Sequence, residues 1–336
     1  MATEDPLAGL ARHWYRVSWL TRLLAPLSFL FAAFVALRRL LYRLRILPAR
    51  RIGIPVVVVG NINAGGSGKT PVVLWVARHL AAQGWRPGIV SRGYGGSVAS
   101  LNAAPAEVNI ASDPALVGDE PLLLSRRSGC PVWVGADRVA ACRALRTHHP
   151  ECNVLVLDDG LQHYRLARDV EVAVVDGRGF GNGRLFPAGP LREPVSRLAS
   201  VDAVICNGEA GVKGYAMRLE GSGFVRLTDA GRVVQAGGLG SRRVHAVAGI
   251  GDPPRFFRQL ESLGLEVVAH PFPDHHPYAA SDLAFGDGLP VVMTEKDAVK
   301  CRRFAAPHFW MLPVVAEIDP AFGALLTRKL GGPKAA

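Results

Sequence analysis

The feature that most constrains this chain is a glycine-rich turn between a strand-like and a helix-like apolar run. Four consecutive valines at residues 56–59, bounded by Pro55 and Gly60, predict a strand that is buried on both faces. The turn ends in Lys69 and Thr70, and a helical apolar pattern follows. When a strand, a turn and a helix follow in this order, the backbone N–H groups of the turn and the positive end of the helix bind phosphates. The stretch therefore predicts a P-loop nucleotide site.

The usual pattern has glycine at position 63 of this loop, where this chain has asparagine. Asparagine tolerates left-handed backbone better than other non-glycine residues, so the loop can still close. A glycine-rich turn that precedes Lys-Thr by chance is the alternative, and the flanking strand and helix argue against it. We expect Lys69 to reach the β- and γ-phosphates of ATP and the Thr70 hydroxyl to bind Mg²⁺. The predicted nucleotide-binding residues are Asn63, Ala64, Gly65, Gly66, Ser67, Gly68, Lys69 and Thr70.

Length and composition allow one large α/β domain or two smaller ones. The chain has 336 residues, 49% of them hydrophobic, and its mean hydropathy of +0.18 is high for a soluble enzyme and suggests membrane contact. The net charge is +11, and residues 1–55 hold nine arginines against Glu4 and Asp5. Seven of the eleven net positive charges therefore lie in the first sixth of the chain.

The cysteines argue against disulfide bonds and against a zinc site. There are five of them, they are scattered, and no Cys-x-x-Cys occurs. This pattern fits a reducing compartment, where ATP is also available.

The N-terminal segment, residues 1–50, is predicted to contain a helix that lies in the membrane interface. Its uninterrupted apolar core covers residues 23–37, whereas a perpendicular span needs about 20 apolar residues. Arginines flank this core on both sides, so no charge asymmetry selects an orientation across the membrane. We therefore favour a helix in the cytoplasmic interface, attracted to anionic lipids by its arginines. A true span and a helix packed on the protein's own core are the alternatives, whereas nucleic-acid binding is rejected because the segment is strongly apolar.

Two acidic clusters follow the predicted P-loop. The apolar residues 154–157 lead into Asp158 and Asp159, and P-loop enzymes use an acid at such a strand end as a second Mg²⁺ ligand. The pattern does not select which of the two binds the metal. The earlier cluster, Asp119 and Glu120, precedes a helix-like run, where carboxylates are favoured by the helix dipole alone. On residue type, that interpretation is preferred over a catalytic one.

Basic residues at a strand end and in one long loop suit an anionic ligand. Arg92 follows a short predicted strand, at the sheet edge where ligands of parallel sheets collect. Residues 177–194 form a long loop rich in glycine and proline that carries Arg192, and such loops commonly act as lids or substrate walls. Solvated surface charges are the alternative in both places.

Beyond residue 208 the α/β pattern weakens and then restarts. Residues 211–240 predict a β-ribbon that links two lobes, and residues 241–336 predict a smaller C-terminal α/β lobe. Within it, His275 lies beside Asp274 at a strand exit, where an acid–base or orienting role competes with that of an ordinary loop histidine. Zinc is rejected there, because adjacent histidines without paired cysteines make poor ligand geometry.

The ordered set of motifs resembles the tetraacyldisaccharide 4'-kinase family of lipid A biosynthesis over nearly the whole chain. That family also lacks glycine at the position of Asn63. The motifs are the P-loop stretch at residues 59–71, Ser-Arg-Gly-Tyr-Gly-Gly at 91–96, Gly-Asp-Glu-Pro at 118–121, Asp-Asp-Gly-Leu-Gln-His at 158–163, Pro-Ala-Gly-Pro-Leu-Arg-Glu at 187–193, Ala-Gly-Ile-Gly at 248–251, Asp-His-His at 274–276 and Met-Thr-Glu-Lys-Asp-Ala-Val-Lys at 293–300.

The resemblance implies a kinase at the cytoplasmic face of the inner membrane, peripheral or monotopic, that uses ATP and Mg²⁺. It implies transfer of the γ-phosphate to the 4'-hydroxyl of the membrane lipid tetraacyldisaccharide 1-phosphate, which gives lipid IVA. We expect a monomer that binds no nucleic acid. The expected fold is α/β, with a parallel P-loop NTPase-type sheet over residues 51–210, the linker ribbon, the smaller C-terminal lobe and the N-terminal membrane-associated helix.

Carried over residue by residue, the resemblance also implies single roles. Asp119 resembles the catalytic carboxylate, and His275 resembles the residue that assists it, which revises the interpretation of both residues taken singly. The positions that resemble the Mg²⁺ shell are Thr70, Asp158, Asp159 and Glu193, and those expected to bind the substrate are Arg92, Gln162, His163 and Arg192.

Two rival functions remain open to the sequence. A membrane-tethered P-loop GTPase or ATPase, acting as a switch or chaperone, would share the P-loop, and a GTPase would read guanine with an Asn/Thr-Lys-x-Asp motif. Residues 294–297, Thr-Glu-Lys-Asp, resemble that motif but carry glutamate where asparagine or threonine is needed. A purely structural peripheral membrane protein is the second rival, and it leaves the P-loop and both acidic clusters unexplained.

Overall fold

The computed structural model describes residues 13–16, 18–100 and 103–333. The first part of the predicted N-terminal segment, including Arg12, and the last three residues of the predicted C-terminal lobe lie outside the described residues. The described chain forms two β-sheets with helices packed on them, which confirms the predicted α/β fold class.

The first sheet has nine strands, and most of its neighbours pair in parallel. Its strands are β1 (Val56–Gly60), β2 (Pro87–Ser91), β3 (Ala106–Val108), β4 (Val132–Val134), β5 (Val154–Asp158), β6 (Val170–Asp176), β7 (Ala203–Asn207), β8 (Tyr215–Glu220) and β15 (Val315–Ile318). They lie in the order β15-β8-β7-β6-β1-β5-β2-β4-β3. Only the two edge strands, β15 and β3, pair with their neighbours in antiparallel fashion.

The second sheet has six strands in the order β10-β9-β14-β13-β11-β12. Strands β14, β13, β11 and β12 are parallel, and β9 and β10 form an antiparallel ribbon at one edge. The strands are β9 (Phe224–Arg226), β10 (Asp229–Val234), β11 (Arg243–Ala248), β12 (Glu266–Pro271), β13 (Val291–Thr294) and β14 (Phe309–Leu312).

Helices connect most of these strands, and short polar residues cap several of them. Asp137 and Asp319, for example, each accept a backbone N–H bond at a helix start. The helices are α1 (Trp19–Leu23), α2 (Ala25–Arg43), α3 (Lys69–Ala82), α4 (Pro114–Val117), α5 (Asp119–Ser128), α6 (Arg138–His148), α7 (Pro253–Ser262), α8 (Glu295–Cys301) and α9 (Pro320–Leu330). Short 3₁₀ turns lie at Ser97–Ala99, Val195–Ser200, Ala236–Leu239, Ala280–Leu283 and Arg302–Phe304.

Strand β1 is buried on both faces, as its valines predict. Val57 and Val59 belong to the same hydrophobic core as the apolar residues of α3, whereas Val56 and Val58 belong to the core that contains α6. Successive strand residues point to opposite faces, so an unbroken run of valine serves both cores. The strand that leads into the P-loop is therefore fixed from two sides.

The two sheets do not divide at the predicted boundaries. Strand β8 lies within the predicted linker ribbon but extends the first sheet beside β7. Strand β15 and helix α9 lie within the predicted C-terminal lobe but return to the first sheet, because Ala316, Ile318, Phe322 and Leu326 are buried in its core. The division into domains stays a prediction. The assignment of β8, β15 and α9 to the first sheet differs from the predicted boundaries.

Helix α2 presents an exposed apolar stripe on one side. Leu27, Leu30, Phe34 and Leu37 follow the spacing of a single helical face and are between 52% and 68% exposed. By length and hydropathy this helix also meets the test for a membrane-crossing helix, which core helices and signal sequences pass as well. Its placement in the interface stays a prediction.

Candidate active site

The predicted nucleotide loop lies in a cleft between the two sheets. The loop leaves β1 at Gly60 and enters α3 at Lys69. Residues 66–71 line one side of the cleft, and the turn after β11 and the start of α8 line the other. The carboxyl ends of parallel strands thus face the cleft, as is usual for ligand sites of α/β sheets.

Two asparagine side chains hold the loop in shape. Asn61 Nδ2 donates to the Gly65 carbonyl and to Ser67 Oγ, each at 3.1 Å. Asn207 Nδ2 donates to the Ser67 carbonyl at 3.2 Å. Gly68 has a φ of 88°, and a Cβ there would lie 2.6 Å from Asn207 Nδ2. Glycine is therefore required at this turn into α3 by conformation and by space.

Asn63 has a different role from the one that its backbone tolerance predicts. It is not among the described non-glycine residues with positive φ, so it does not use the left-handed conformation. Its Nδ2 donates to the Gly179 carbonyl at 2.5 Å, and its backbone forms a bridge with Leu191. Asn63 thereby connects the nucleotide loop to the long loop of residues 177–194. A glycine at this position could not form the side-chain hydrogen bond.

Lys69 and Arg192 both converge on Asp159. Lys69 Nζ lies 3.5 Å from Asp159 Oδ1, and Arg192 Nη1 lies 3.0 Å from Oδ2. Burial would raise the pKa of Asp159, but Lys69 and Arg192 hold it well below its usual range. Asp159 thus forms salt bridges with two cationic side chains beside the nucleotide loop. Its backbone is left-handed, with a φ of 51°.

Asp158 has the surroundings that best fit a metal ligand. Ser91 Oγ donates to its Oδ2 at 2.9 Å, while its buried Oδ1 has no hydrogen-bond partner among the described residues. Burial, reinforced by Glu120 and Asp159, raises the pKa of Asp158. An acceptor oxygen without a donor, at a site that disfavours its negative charge, suits a bound cation.

Glu193 is tied to the protein by several side chains. It is 1% exposed, Gln162 Nε2 donates to its Oε2 at 3.0 Å, and the Tyr164 hydroxyl donates to its Oε1. Arg197 Nε lies 3.7 Å from Oε2. Within the part of the chain that the structure describes, no three His, Cys, Asp or Glu side chains are grouped as a metal site would require. The four-residue Mg²⁺ shell therefore stays a prediction, and Asp158 is its best-supported carboxylate.

The other predicted substrate residues have mixed surroundings. Arg92 is exposed at the end of β2, as an anion-binding residue would be. The Gln162 amide is engaged by Glu193 and by the Asn61 carbonyl at 3.0 Å. Burial and the nearby Arg138 lower the pKa of His163 to about 4, so this imidazole is neutral near pH 7. Substrate contacts for all of them remain predictions.

Asp119 and His275 are in contact although they lie 156 positions apart in the sequence. His275 Nδ1 lies 3.1 Å from each carboxylate oxygen of Asp119, which is 5% exposed at the first position of α5. Gly118 precedes it with a φ of 91°, and a Cβ there would lie 2.7 Å from the Tyr94 carbonyl. His275 also has positive φ, 62°, in the turn after β12. A glycine and a left-handed histidine thus bring the two side chains together.

The charges around this pair favour an ionised Asp119. Burial would raise the pKa of Asp119, but the hydrogen bond to His275 and the charges of Lys296 and Lys300 hold it well below its usual range. Burial would likewise lower the pKa of His275, but the hydrogen bond to Asp119 raises it. Lys296 Nζ lies 3.3 Å from His275 Nε2, so Nε2 accepts and Nδ1–H donates to Asp119.

Sequence reasoning missed the lysines of α8. Lys296 Nζ contacts Glu120 Oε1 and Asp274 Oδ1, each at 3.0 Å, and Lys300 Nζ lies 3.7 Å from Asp119 Oδ2. Both lie in the motif at residues 293–300, and their spacing of four residues directly after a buried strand places both on one helical face. That spacing alone does not indicate what they face.

Comparison with known proteins gives consistent matches over nearly the whole chain. The sequence model of the family described as tetraacyldisaccharide-1-P 4'-kinase matches residues 20–331. The tetraacyldisaccharide 4'-kinase of Dechloromonas aromatica is 55% identical over 318 residues, which cover 92% of each protein. That of Azoarcus sp. (strain BH72) is 53% identical over 315 residues, which cover 92% of this chain and 91% of the relative.

A solved structure shows the same fold. LpxK from Aquifex aeolicus, in a crystal structure with ATP, superposes with a TM-score of 0.78 at 28% sequence identity. The alignment covers 93% of this chain and 99% of that protein. The likeness therefore includes both sheets and the cleft between them.

Proposed function

Because this chain belongs to the tetraacyldisaccharide-1-P 4'-kinase family, we infer that it is an ATP-dependent kinase of lipid A biosynthesis. It transfers the γ-phosphate of ATP to the 4'-hydroxyl of tetraacyldisaccharide 1-phosphate, which gives lipid IVA. In the structure, the observation that carries this function is the closeness of the P-loop to the buried Asp119–His275 pair. Residues 66–71 line the same cleft as Glu120 and Lys296, and Lys296 Nζ lies 3.3 Å from His275 Nε2.

The nucleotide loop holds the donor in this proposal. Backbone N–H groups of residues 63–70 bind the phosphates, and Lys69 and Arg192 exchange Asp159 for phosphate oxygens. Thr70 and Asp158 are the residues that would hold Mg²⁺, and the ion would there supply positive charge to the β- and γ-phosphates. The unpartnered Asp158 Oδ1 supports this assignment.

Asp119 receives the proton of the acceptor hydroxyl. Phosphoryl transfer passes through a loose transition state, so the proton leaves the hydroxyl late and a weakly basic carboxylate suffices. The lowered pKa of Asp119 therefore agrees with this role, because the carboxylate is ionised at neutral pH. His275 Nδ1–H orients the carboxylate. The part of the protein built on the second sheet packs against the part built on the first sheet, and this packing limits the access of water to the reacting groups.

The GTPase alternative fails on the position of Asp297, the residue that would read guanine. Asp297 is fully buried, and its Oδ2 accepts hydrogen bonds from the Gly249 N–H at 2.9 Å and from Thr294 Oγ1 at 2.6 Å. A carboxylate held in this way ties α8 to the end of β11 and is closed to a base. The purely structural alternative is excluded by the family.

The nucleotide and acceptor requirement is tested with purified protein, Mg²⁺ and γ-labelled nucleotide in detergent. We expect label to move to tetraacyldisaccharide 1-phosphate from ATP, and at least about tenfold less from GTP, a discrimination of about 1.4 kcal/mol. Tetraacyldisaccharide that already carries a 4'-phosphate serves as the control acceptor and should receive no label. Label transfer from GTP at the rate of ATP, or hydrolysis without transfer, would contradict the kinase function.

We place the enzyme on the cytoplasmic face of the inner membrane, as a monomer that docks through α2. Its acceptor carries four acyl chains and stays in the bilayer, so an enzyme on the surface meets it in two dimensions. The exposed stripe of α2 supplies apolar contact, and Arg38, Arg39 and Arg43 at the end of the helix each add about 1 kcal/mol of attraction to anionic lipid.

Replacing Leu30, Phe34 and Leu37 together by serine should lower the affinity for anionic vesicles at least about tenfold, because each exposed side chain loses roughly 1.5–3 kcal/mol of apolar burial in the interface. Vesicle co-sedimentation measures this effect. Ile110→Ser, which changes an apolar residue that is 67% exposed outside the stripe, is the matched control. Unchanged sedimentation of the triple variant would rule out docking through this face.

A further inference from the structure

Lys300 lies on α8, where the second sheet meets α5. Its Nζ lies 3.7 Å from Asp119 Oδ2 and 3.2 Å from Asp297 Oδ1, and its side chain is 12% exposed. The ring of Tyr278 lies next to the ammonium, with Nζ 5.0 Å from the ring centroid. This Nζ forms no hydrogen bond of good geometry within the described residues. Two carboxylates and an aromatic face therefore determine its position.

Asp297 anchors this arrangement to the second sheet. Its Oδ2 is held by the Gly249 N–H at the end of β11 and by Thr294 Oγ1 at the end of β13. Its own N–H donates back to Thr294 Oγ1 at 3.1 Å. The remaining oxygen, Oδ1, faces Lys300 three residues along the same helix. The Lys300 ammonium is thus held by a fully buried carboxylate, and the same Nζ lies beside Asp119.

Lys296 has different contacts. Its Nζ contacts Glu120 Oε1, Asp274 Oδ1 and His275 Nε2. Lys296 therefore contacts the histidine of the Asp119–His275 pair and two neighbouring carboxylates. Among the lysines that the structure describes, Lys300 is the one whose ammonium lies within 4.0 Å of Asp119 itself. The two lysines therefore act on different members of the cluster.

We propose that Lys300 is a positioning residue of the transfer reaction, which holds Asp119 Oδ2 so that the carboxylate keeps its orientation toward the acceptor hydroxyl. The inference rests on the function proposed above, in which Asp119 receives the hydroxyl proton. Lys300 keeps its own proton throughout. The O–H bond of the acceptor breaks, its proton passes to Asp119, and its oxygen forms the new bond to the γ-phosphorus as the bond from that phosphorus to the β–γ bridging oxygen breaks and ADP leaves. His275 and Lys300, which both follow strands of the second sheet, then contact and orient the same Asp119 carboxylate.

The charges that face Asp119 give this role a measurable signature. Burial would raise the pKa of Asp119, and His275, Lys296 and Lys300 lower it. Removal of the Lys300 charge therefore raises the pKa of Asp119, and the acid limb of the kcat/KM profile moves to higher pH. The titratable and charged groups around Asp119 and these two lysines are Glu120 from α5, Asp274, His275 and Tyr278 from the segment after β12, and Lys296, Asp297 and Lys300 from α8.

The test compares Lys300→Met with Lys300→Arg in the full-length enzyme, with ATP, Mg²⁺ and tetraacyldisaccharide 1-phosphate. We expect Lys300→Met to lower kcat by 10- to 100-fold, to leave the KM for ATP within about twofold, and to move the acid limb upward in pH. Lys300→Arg retains the charge and should recover most of kcat and the original profile. Lys329→Met, which removes a lysine paired with Asp202 on the outer surface, is the control and should match the wild type.

Three outcomes would overturn the proposal. These are wild-type kcat and profile in Lys300→Met, a loss of kcat without a shift of the acid limb, or no rescue by Lys300→Arg. If Lys300→Met does not fold, as judged by thermal unfolding, Lys300→Gln is the second neutral variant and is read in the same way. If the wild-type enzyme itself transfers no phosphate, the proposed function fails rather than the role of Lys300.

Discussion

Asp119→Asn should lower kcat for acceptor phosphorylation by about 10²–10⁴-fold, the usual effect of losing a general base. Asparagine keeps the shape of the side chain and one acceptor oxygen for His275, but it cannot receive the hydroxyl proton. The binding of ATP should change little, because Asp119 lies at the start of α5 whereas the phosphates are expected at the start of α3. Steady-state kinetics with the lipid acceptor, and ATP binding measured by calorimetry, separate the two effects.

Asp113→Asn is the matched control for this variant. Asp113 caps α4, the short helix just before α5, and asparagine is an equally good cap. The control should therefore keep wild-type kinetics. Activity of Asp119→Asn within tenfold of the wild type would remove Asp119 from the mechanism.

Lys69→Ala should have an effect of similar size on the donor side. We expect kcat/KM for ATP to fall at least about a thousandfold, because the Lys69 ammonium is expected to supply positive charge to the β- and γ-phosphates. Its removal also leaves Arg192 as the remaining salt-bridge partner of Asp159. Lys69→Arg should not restore activity, since the wider, planar guanidinium cannot replace the compact ammonium in a loop expected to surround the phosphates closely. Kinetics and calorimetry with ATP measure both variants.

The exposed Lys213 provides the control for Lys69→Ala, since Lys213→Ala removes the same charge away from the cleft. Wild-type affinity for ATP in Lys69→Ala would contradict the assignment of the nucleotide loop.

The sequence was sufficient to predict those elements whose formation depends on residues that are close together in the chain. The valine run of β1, the glycine turn and the apolar pattern of α3 each follow from neighbours along the chain, and the structure contains them where expected. The return of β15 and α9 to the first sheet was missed, because a short apolar strand is equally suited to either sheet until its partner is known.

The candidate site was predictable only in part, for the same reason. Asp119 and His275 were each ambiguous by residue type and became a pair only through resemblance to the family. Their contact bridges 156 residues, and no local pattern specifies such a pairing. The Tyr164 hydroxyl on Glu193 and the contacts of Lys300 are likewise set by packing between distant segments, so residue type alone gave no sign of them.

The most direct measurement is a single turnover of ATP-loaded enzyme mixed with tetraacyldisaccharide 1-phosphate, in the wild type and in Asp119→Asn. Single-turnover conditions exclude product release, so the transfer step itself is observed. The account predicts that both proteins bind ATP with affinities within about twofold, and that only the wild type moves the γ-phosphate to the 4'-hydroxyl at an appreciable rate. Equal transfer rates in the two proteins, or label at any other position of the product, would contradict it.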